Sequence, residues 1–320
     1  MHDLAVIIVS TNEAHWLRPC LSTVFASAGE ATLDVIVADN ESIDGTRELV
    51  EEEFPDARVV TCENRGFAHA NNRGFMATDA RYVLFLNPDT EILRGTFGEL
   101  VGAMDKRPAV GLVGVKQVGA DGKLHPTIRR FPNAIRALGE ALGSERWPVH
   151  PAWAGERELD FEVYERELPC DWTSGSFMLA RREALLAAGL LDERFFIYGE
   201  EPDLCLRISK AGWETFHFPR MTILHHAGKG GLNPRMEAQG AYARLLHARK
   251  HFGRAHRALY VAALCTRYGI RSSSRQTVRR SAMTRSLKTL LGFERPPFGE
   301  PPACAVAPEP PRFAPSGQRD

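Results

Sequence analysis

The sequence predicts an α/β fold with a central, mainly parallel sheet, followed by further helices toward the C-terminus. Three observations predict it. The continuous apolar run Leu4 to Val9, and the similar runs Leu33 to Ala38 (with Asp34), Ala57 to Val60 (with Arg58) and Tyr82 to Leu86, end in polar residues. Helix-like stretches near Glu13 to Ala28, Asp44 to Glu53 and Phe67 to Thr78 alternate with them, the order expected when parallel strands are joined by crossover helices. The strand ends carry Ser10-Thr11-Asn12, Asp39-Asn40 and Asn87-Pro88-Asp89, a polar rim at the place where such sheets bind ligands.

Further along, Arg94 to Lys106 reads as a helix and Val110 to Val118 as a strand. Periodicity fades from Gly119 to Pro169 among Gly, Pro, Trp and charges, so an irregular insertion, mobile over the site, is expected there. Order returns with a strand at Ser174 to Ala180, a helix at Arg181 to Ala188 and a short strand at Glu214 to Phe218. The stretch after Pro234 reads as helical, with breaks near Gly253 and Gly269, and Pro296 to Asp320, with eight prolines, as a disordered tail. The expected organisation is therefore a domain at 1–233 carrying an insertion at about 119–169, a basic helical extension at 234–295 and a tail at 296–320.

With 320 residues, 44% of them hydrophobic, the chain can bury a sizeable core. Formal net charge is zero, so nothing global points to nucleic acid, yet Arg244 to Arg295 holds 13 Lys and Arg against Glu294 alone. Leu259-Tyr260-Val261, Leu264, Leu287 and Leu290-Leu291 interleave with those cations at helical spacing. That pattern fits docking on anionic lipid, beside the plainer alternative of a solvated surface. Six cysteines without a CxxC pair indicate neither a zinc site nor a disulfide framework. The start lacks a basic leader, and no window of about 18 apolar residues occurs, so a cytoplasmic protein is expected, with peripheral contact at the inner face of the membrane.

The chemistry concentrates in a few motifs. Val35 to Asp39 delivers a carboxylate to the rim, where Asp39 can accept the imide N–H of uracil or thymine; Asn40 follows it, and capping alone accounts for Ser42 and Asp44. Ser10, Thr11, Asn12 and Glu13 can cradle base and ribose or simply cap the first helix. No GxGxxG follows that first strand, which disfavours a dinucleotide dehydrogenase. Arg65, Gly66 and Asn72 lie in Asn64-Arg65-Gly66-Phe67-Ala68-His69-Ala70-Asn71-Asn72-Arg73-Gly74, a helix entry suited to diphosphate or sugar hydroxyls.

In Leu84-Phe85-Leu86-Asn87-Pro88-Asp89-Thr90-Glu91 a buried strand stops at carboxylates in a Pro-stiffened turn. A hard divalent ion bridging a diphosphate needs only one or two protein carboxylates, here Asp89 with Glu91 as second candidate. In Phe195-Phe196-Ile197-Tyr198-Gly199-Glu200-Glu201-Pro202-Asp203, an aromatic segment leads into three acids at a helix start. Apolar surroundings raise carboxylate basicity, which suits a base that deprotonates a hydroxyl. His225-His226 can add an imidazole to the ion, and Lys229 a cation near phosphate.

In order and spacing, residues 4 to about 230 resemble the family 2 inverting glycosyltransferases, most nearly the bacterial rhamnosyltransferase-like branch acting on cell-surface polysaccharides. The resemblance implies a Rossmann-like, nucleotide-sugar-binding domain of GT-A type, Mg²⁺ or Mn²⁺, and single displacement with inversion at the anomeric carbon. It implies a dTDP- or UDP-sugar donor, dTDP-rhamnose by preference, and a glycan or lipid-linked acceptor. By motif, Asp39 matches the acid that reads the base, Asp89 the last acid of the metal-binding Asp-x-Asp, His225 the downstream metal-binding histidine and Glu201 the catalytic base. Trp172-Thr173-Ser174-Gly175 resembles the acceptor-side segment. Asn87 replaces the first acid of the metal motif, and Glu201 is one methylene longer than the usual Asp, so Glu200 or Asp203 can share its role. The alternatives are a sugar-nucleotide nucleotidyltransferase, which would want a Gly-rich basic loop after the first strand, and a non-catalytic nucleotide-sugar-binding scaffold.

Overall fold

The structure, a computed structural model, describes residues 2–226 and 231–299. The first half follows the alternation read from the sequence: β1 (Leu4–Ser10), α1 (Ala14–Ala26), β2 (Leu33–Asn40), α2 (Thr46–Glu53), β3 (Ala57–Cys62), α3 (Phe67–Met76) and β4 (Tyr82–Leu86). Then come β5 (Thr90–Arg94), α4 (Phe97–Asp105), β6 (Val110–Val118), α5 (Ala134–Ala141), β7 (Leu168–Cys170), β8 (Phe177–Arg181), α6 (Arg182–Ala188), α7 (Glu200–Lys210) and β9 (Glu214–His225). Helices α8 (Pro234–His251), α9 (Arg254–Ser272) and α10 (Thr277–Leu290) close the described chain.

The strands form one sheet in the order β3-β2-β1-β4-β8-β6-β9-β5, with β7 also pairing β9. Strands β1 to β4 pair in parallel, as do β6 and β9, while β8, β5 and β7 run antiparallel to their neighbours. Alternation along β1 feeds both layers. Leu4, Val6 and Ile8 join the core under α1 and α4, and Ala5, Ile7 and Val9 join the core with α3 and α7. A third core, around Tyr260 and Leu264, unites α5 with α8, α9 and α10.

Four expectations need correcting. The 119–169 insertion contains α5, whose start is fixed by Asn133 Oδ1 accepting the Arg136 N–H at 2.8 Å, and that helix is held in the third core. Strand β9 runs on to His225 because Pro219, which has no N–H to donate, falls in a register shift between Phe218 and Thr222. Gly269 lies inside α9, where a glycine costs only about 1 kcal/mol; the break comes after Ser272. The tail begins ordered, since the Phe298 ring stacks on Phe196 at 4.6 Å; beyond residue 299 the expected disordered tail lies outside the described residues.

Candidate active site

The carboxyl ends of β1 and β2 are tied into one rim. Asn12, at φ 57°, donates its N–H to Ser42 Oγ (2.9 Å) and accepts the Ile43 N–H (2.8 Å), and Ala14 N–H reaches Asp44 (2.9 Å). Ser42 and Asp44 thus secure the entry of α1. Asn40 Nδ2 donates to Thr11 Oγ1 (3.2 Å) and Asn64 Oδ1 (3.0 Å), while buried Ser10 lies 3.5 Å from Thr46 Oγ1. Asp39 is buried and accepts the Ser42 N–H through Oδ1 at 3.2 Å; no hydrogen bond from the described residues reaches its Oδ2. Burial, reinforced by Asp89 and Asp44, pushes the Glu13 carboxyl up to about 7. Glu13 therefore stands beside Asp89.

Asp89 Oδ1 lies 3.4 Å from His225 Nε2, because the main chain of β9 runs alongside: the Asp89 carbonyl accepts the His226 N–H at 3.0 Å. Glu91, on β5, instead pairs with His226 at 2.6 Å, and Trp16 stacks on that imidazole. Among the described residues no group of three or more His, Cys, Asp or Glu side chains forms a metal cage. The Asp89–His225 pair nonetheless suits an open divalent site, since such an ion takes remaining oxygens from phosphate and water. Lys229 lies outside the described residues.

At the other carboxylate station, Gly199 (φ 85°) opens α7 and the three acids part company. Asp203 is fully buried and bound by Arg207 (2.7 Å), Lys250 (2.6 Å) and His251 (2.7 Å). Burial alone would raise its pKa, but the bond from His251 and the charges of Arg207 and Lys250 outweigh it and hold the carboxyl well below the usual range. Asp203 is thus a strut joining α7 to α8, its oxygens bonded to Arg207, Lys250 and His251. Glu200 is buried, its Oε2 has no hydrogen-bond partner among the described residues, and burial together with the Glu201 charge drives its carboxyl well up. Glu201 is raised chiefly by burial, partly offset by hydrogen bonds and by the Arg129 charge, and its Oε1 accepts the Gly175 N–H at 3.3 Å.

Gly175 sits in the segment between β7 and β8 that separates the two stations. Trp172 anchors it by donating Nε1–H to the Arg130 carbonyl (3.0 Å), Ser174 Oγ lies 3.1 Å from Ser176 Oγ, and the Ser176 carbonyl accepts the Asn87 N–H at 3.1 Å. One short segment thereby touches both the Asn87–Asp89 turn and Glu201. Gly66 couples the rim to the aromatic segment: Phe67 N–H donates to the Phe196 carbonyl at 2.7 Å, and a Cβ on Gly66 would fall 2.7 Å from Phe196 Cα.

Two residues escaped the sequence reading. Glu193 accepts from Asn72 Nδ2 (3.1 Å), pairs with His69 (2.8 Å) and draws Arg65 to 3.8 Å. Asn72 also bonds the Leu191 main chain in both directions. Its buried amide is thus bonded to Leu191 and to the same Glu193 that draws Arg65. Arg129, the second, lies over the Trp172 ring at 5.1 Å beside Glu201. Both contacts span large sequence separations and leave no local pattern.

The mainly parallel sheet with its polar rim and C-terminal helices is that of a GT-A type glycosyltransferase. The chain belongs to glycosyl transferase family 2, whose model matches residues 5–168. It is 34% identical over 235 residues to an N-acetylglucosaminyl-diphospho-decaprenol L-rhamnosyltransferase of Mycobacterium tuberculosis, covering 70% of this chain and 76% of that one. A rhamnosyltransferase of Escherichia coli is 24% identical over 69% of this chain and 83% of its own. Among solved structures, a mannosyltransferase from Pyrobaculum calidifontis in complex with GDP-Man and Mn²⁺ shares the fold, with TM-score 0.54, 17% identity, and coverage of 92% of this chain and 88% of that one.

Proposed function

We propose that this glycosyltransferase moves L-rhamnose, with inversion, from a dTDP- or UDP-linked donor to a hydroxyl of a glycan or lipid-linked acceptor in cell-envelope polysaccharide synthesis. The observation that carries the reading is the disposition of Glu201 and Asp89 about one segment, with Glu201 basic through burial and held by Gly175. The names of the relatives support rhamnose and a lipid-diphosphate acceptor.

On this reading Asp39 Oδ2 accepts the imide N–H of the base, and Ser10, Thr11, Asn12, Glu13 and Asn40 frame base and ribose. Arg65, Gly66 and Asn87 face diphosphate and sugar. Trp172, Ser174 and Gly175 wall the acceptor side. The acceptor oxygen forms its bond to the anomeric carbon as Glu201 takes its proton, and the electron pair of the breaking bond leaves with the diphosphate. Burial is what keeps Glu201 basic, and Glu200 behind it has its own carboxyl driven up by burial and by the Glu201 charge. Asp89 and His225 would hold Mg²⁺ or Mn²⁺, which when bound offsets charge on the leaving diphosphate.

The basic helices α8 to α10, joined through the third core to α5 with its exposed Ile135, Leu138 and Leu142, support peripheral contact with an anionic inner membrane face. No helix among the described residues is long and apolar enough to cross a membrane. Flotation with anionic liposomes tests this contact, and equal recovery with neutral liposomes would remove it. The transfer reading is tested by nucleoside diphosphate release from a panel of nucleotide sugars with each metal. Release from one donor, lost in Asp89→Ala, is expected; release undiminished in that variant would unseat Asp89.

A further inference from the structure

A cavity of about 400 Å³ opens beside Glu201, between the insertion and helices α8 and α9. Four arginines from separate stretches line it: Arg129, Arg157, Arg244 and Arg267. Three are braced from outside the cavity or along its wall. Arg157 lies 3.6 Å from Glu145, Arg244 lies 3.2 Å from Glu156, and Arg267 pairs with Glu140. A guanidinium has five N–H donors, so a single brace leaves most of them for a ligand. Arg129 has no carboxylate within ion-pair distance among the described residues, and its buried Nε, like that of Arg267, has no hydrogen-bond partner. Glu156 and Glu201 stand near enough to feel its charge without pairing with it, so its recessed guanidinium keeps donors to spare for an anion.

The wall carboxylates are Glu156, Glu201 and Glu237, of which Glu156 is taken up by Arg244. The remaining lining is largely aromatic or apolar, with Trp172, Tyr198, Met236, Tyr260 and Tyr268 facing the same space. Arginine forks match phosphate oxygens in pairs, and aromatic faces match a sugar ring. On the transferase reading the leaving diphosphate of the donor belongs at Asp89 and His225, which do not line this cavity. What enters the arginine cavity must therefore be the part of the acceptor that trails from the hydroxyl at Glu201.

The geometry points to a diphosphate-binding subsite for the acceptor, in which Arg129, Arg157, Arg244 and Arg267 hold the diphosphate that links the acceptor sugar to its lipid. This deepens, and rests on, the transferase reading of the same site. It explains why the insertion and the C-terminal helices share a core: each supplies two of the four arginines, so the subsite exists only when they are packed together.

The test is calorimetric titration of citronellyl diphosphate into the full chain without divalent metal, a readout independent of turnover. Wild type binds, and Arg129→Met, which keeps an aliphatic cover on Trp172, binds about 10- to 100-fold more weakly, the effect of losing hydrogen bonds to a charged group. Arg157→Gln, at a half-exposed position that folding tolerates, also weakens binding. Affinity for dTDP with metal is the same in all three proteins. No binding to wild type, or equal binding to wild type and both variants, overturns the subsite. If sugar transfer is absent while citronellyl diphosphate binds and both variants weaken it, the subsite stands and the transferase reading falls.

Discussion

Gly175→Ala perturbs the proposed base without touching it in sequence. A Cβ on Gly175 would sit 2.8 Å from Glu201 Oε1 and 3.0 Å from its Cγ, so the carboxylate must retreat by roughly 0.6 Å to reach ordinary contact. Gly175 has no left-handed φ, so alanine brings no backbone strain, and the clashing group is the end of a flexible side chain. Stability should therefore change little. Position matters far more for proton transfer, where a misplacement of about 1 Å costs about 10²-fold; a 10- to 100-fold fall in kcat, about 1.4–2.7 kcal/mol of barrier, is expected. The assay is steady-state transfer with saturating donor and acceptor, alongside thermal melting and dTDP binding. A kcat within about twofold of wild type would refute the placement of Glu201 against Gly175. So would a fall in kcat matched by a fall in melting temperature, because the loss would then be one of folding.

Other outcomes follow from the same geometry. Asp203→Asn strips a buried carboxylate from Arg207, Lys250 and His251 and should cost about 3–5 kcal/mol by chemical denaturation. Because the folded pKa of Asp203 is depressed, its stabilisation is full above the unfolded carboxylate pKa and disappears as pH falls through the folded one, so the gap between wild type and variant should close in acid. Gly66→Ala, forced into φ near 100° and onto the Phe196 backbone, should destabilise by about 2–5 kcal/mol in thermal melts, and unchanged stability would contradict that close approach. Since burial raises Glu201 and a base must be ionised, kcat/KM should climb with pH to a plateau whose midpoint lies above the ordinary glutamate value of about 4.3. An acid limb at or below that value would deny Glu201 its buried setting.

Much of the fold was legible because β1 and β4 are buried along their whole length and β2 beyond Asp34, so they read as largely apolar runs ending at a rim, while the edge strand β3 is only partly buried. Strand β5 was not: its five residues follow directly on the Pro-Asp turn, and exposed Leu93 and Arg94 blur any alternation. Helix α5 had a signal, Asn133 as cap before Ile135, Leu138 and Leu142 at helical spacing, hidden among flanking Gly, Pro and Trp. In the site, local motifs located both carboxylate stations. They could not sort Glu200, Glu201 and Asp203, because the sorting is done by Lys250, His251 and Gly175, brought in by the fold. The arginine cavity was illegible for the same reason: Arg244 and Arg267 lie in the basic stretch that reads as a lipid-docking or solvated surface, and Arg129 and Arg157 lie in the insertion, far away in sequence.

The most direct measurement is transfer by Glu201→Gln, with dTDP-rhamnose, metal and a lipid-diphosphate-linked N-acetylglucosamine as substrates. Gln keeps the shape and can still accept the Gly175 N–H, but it takes no proton. The expected result is a kcat lower by about 10²–10⁴-fold with unchanged dTDP affinity. Turnover at the wild-type rate would contradict the assignment of Glu201 as the base.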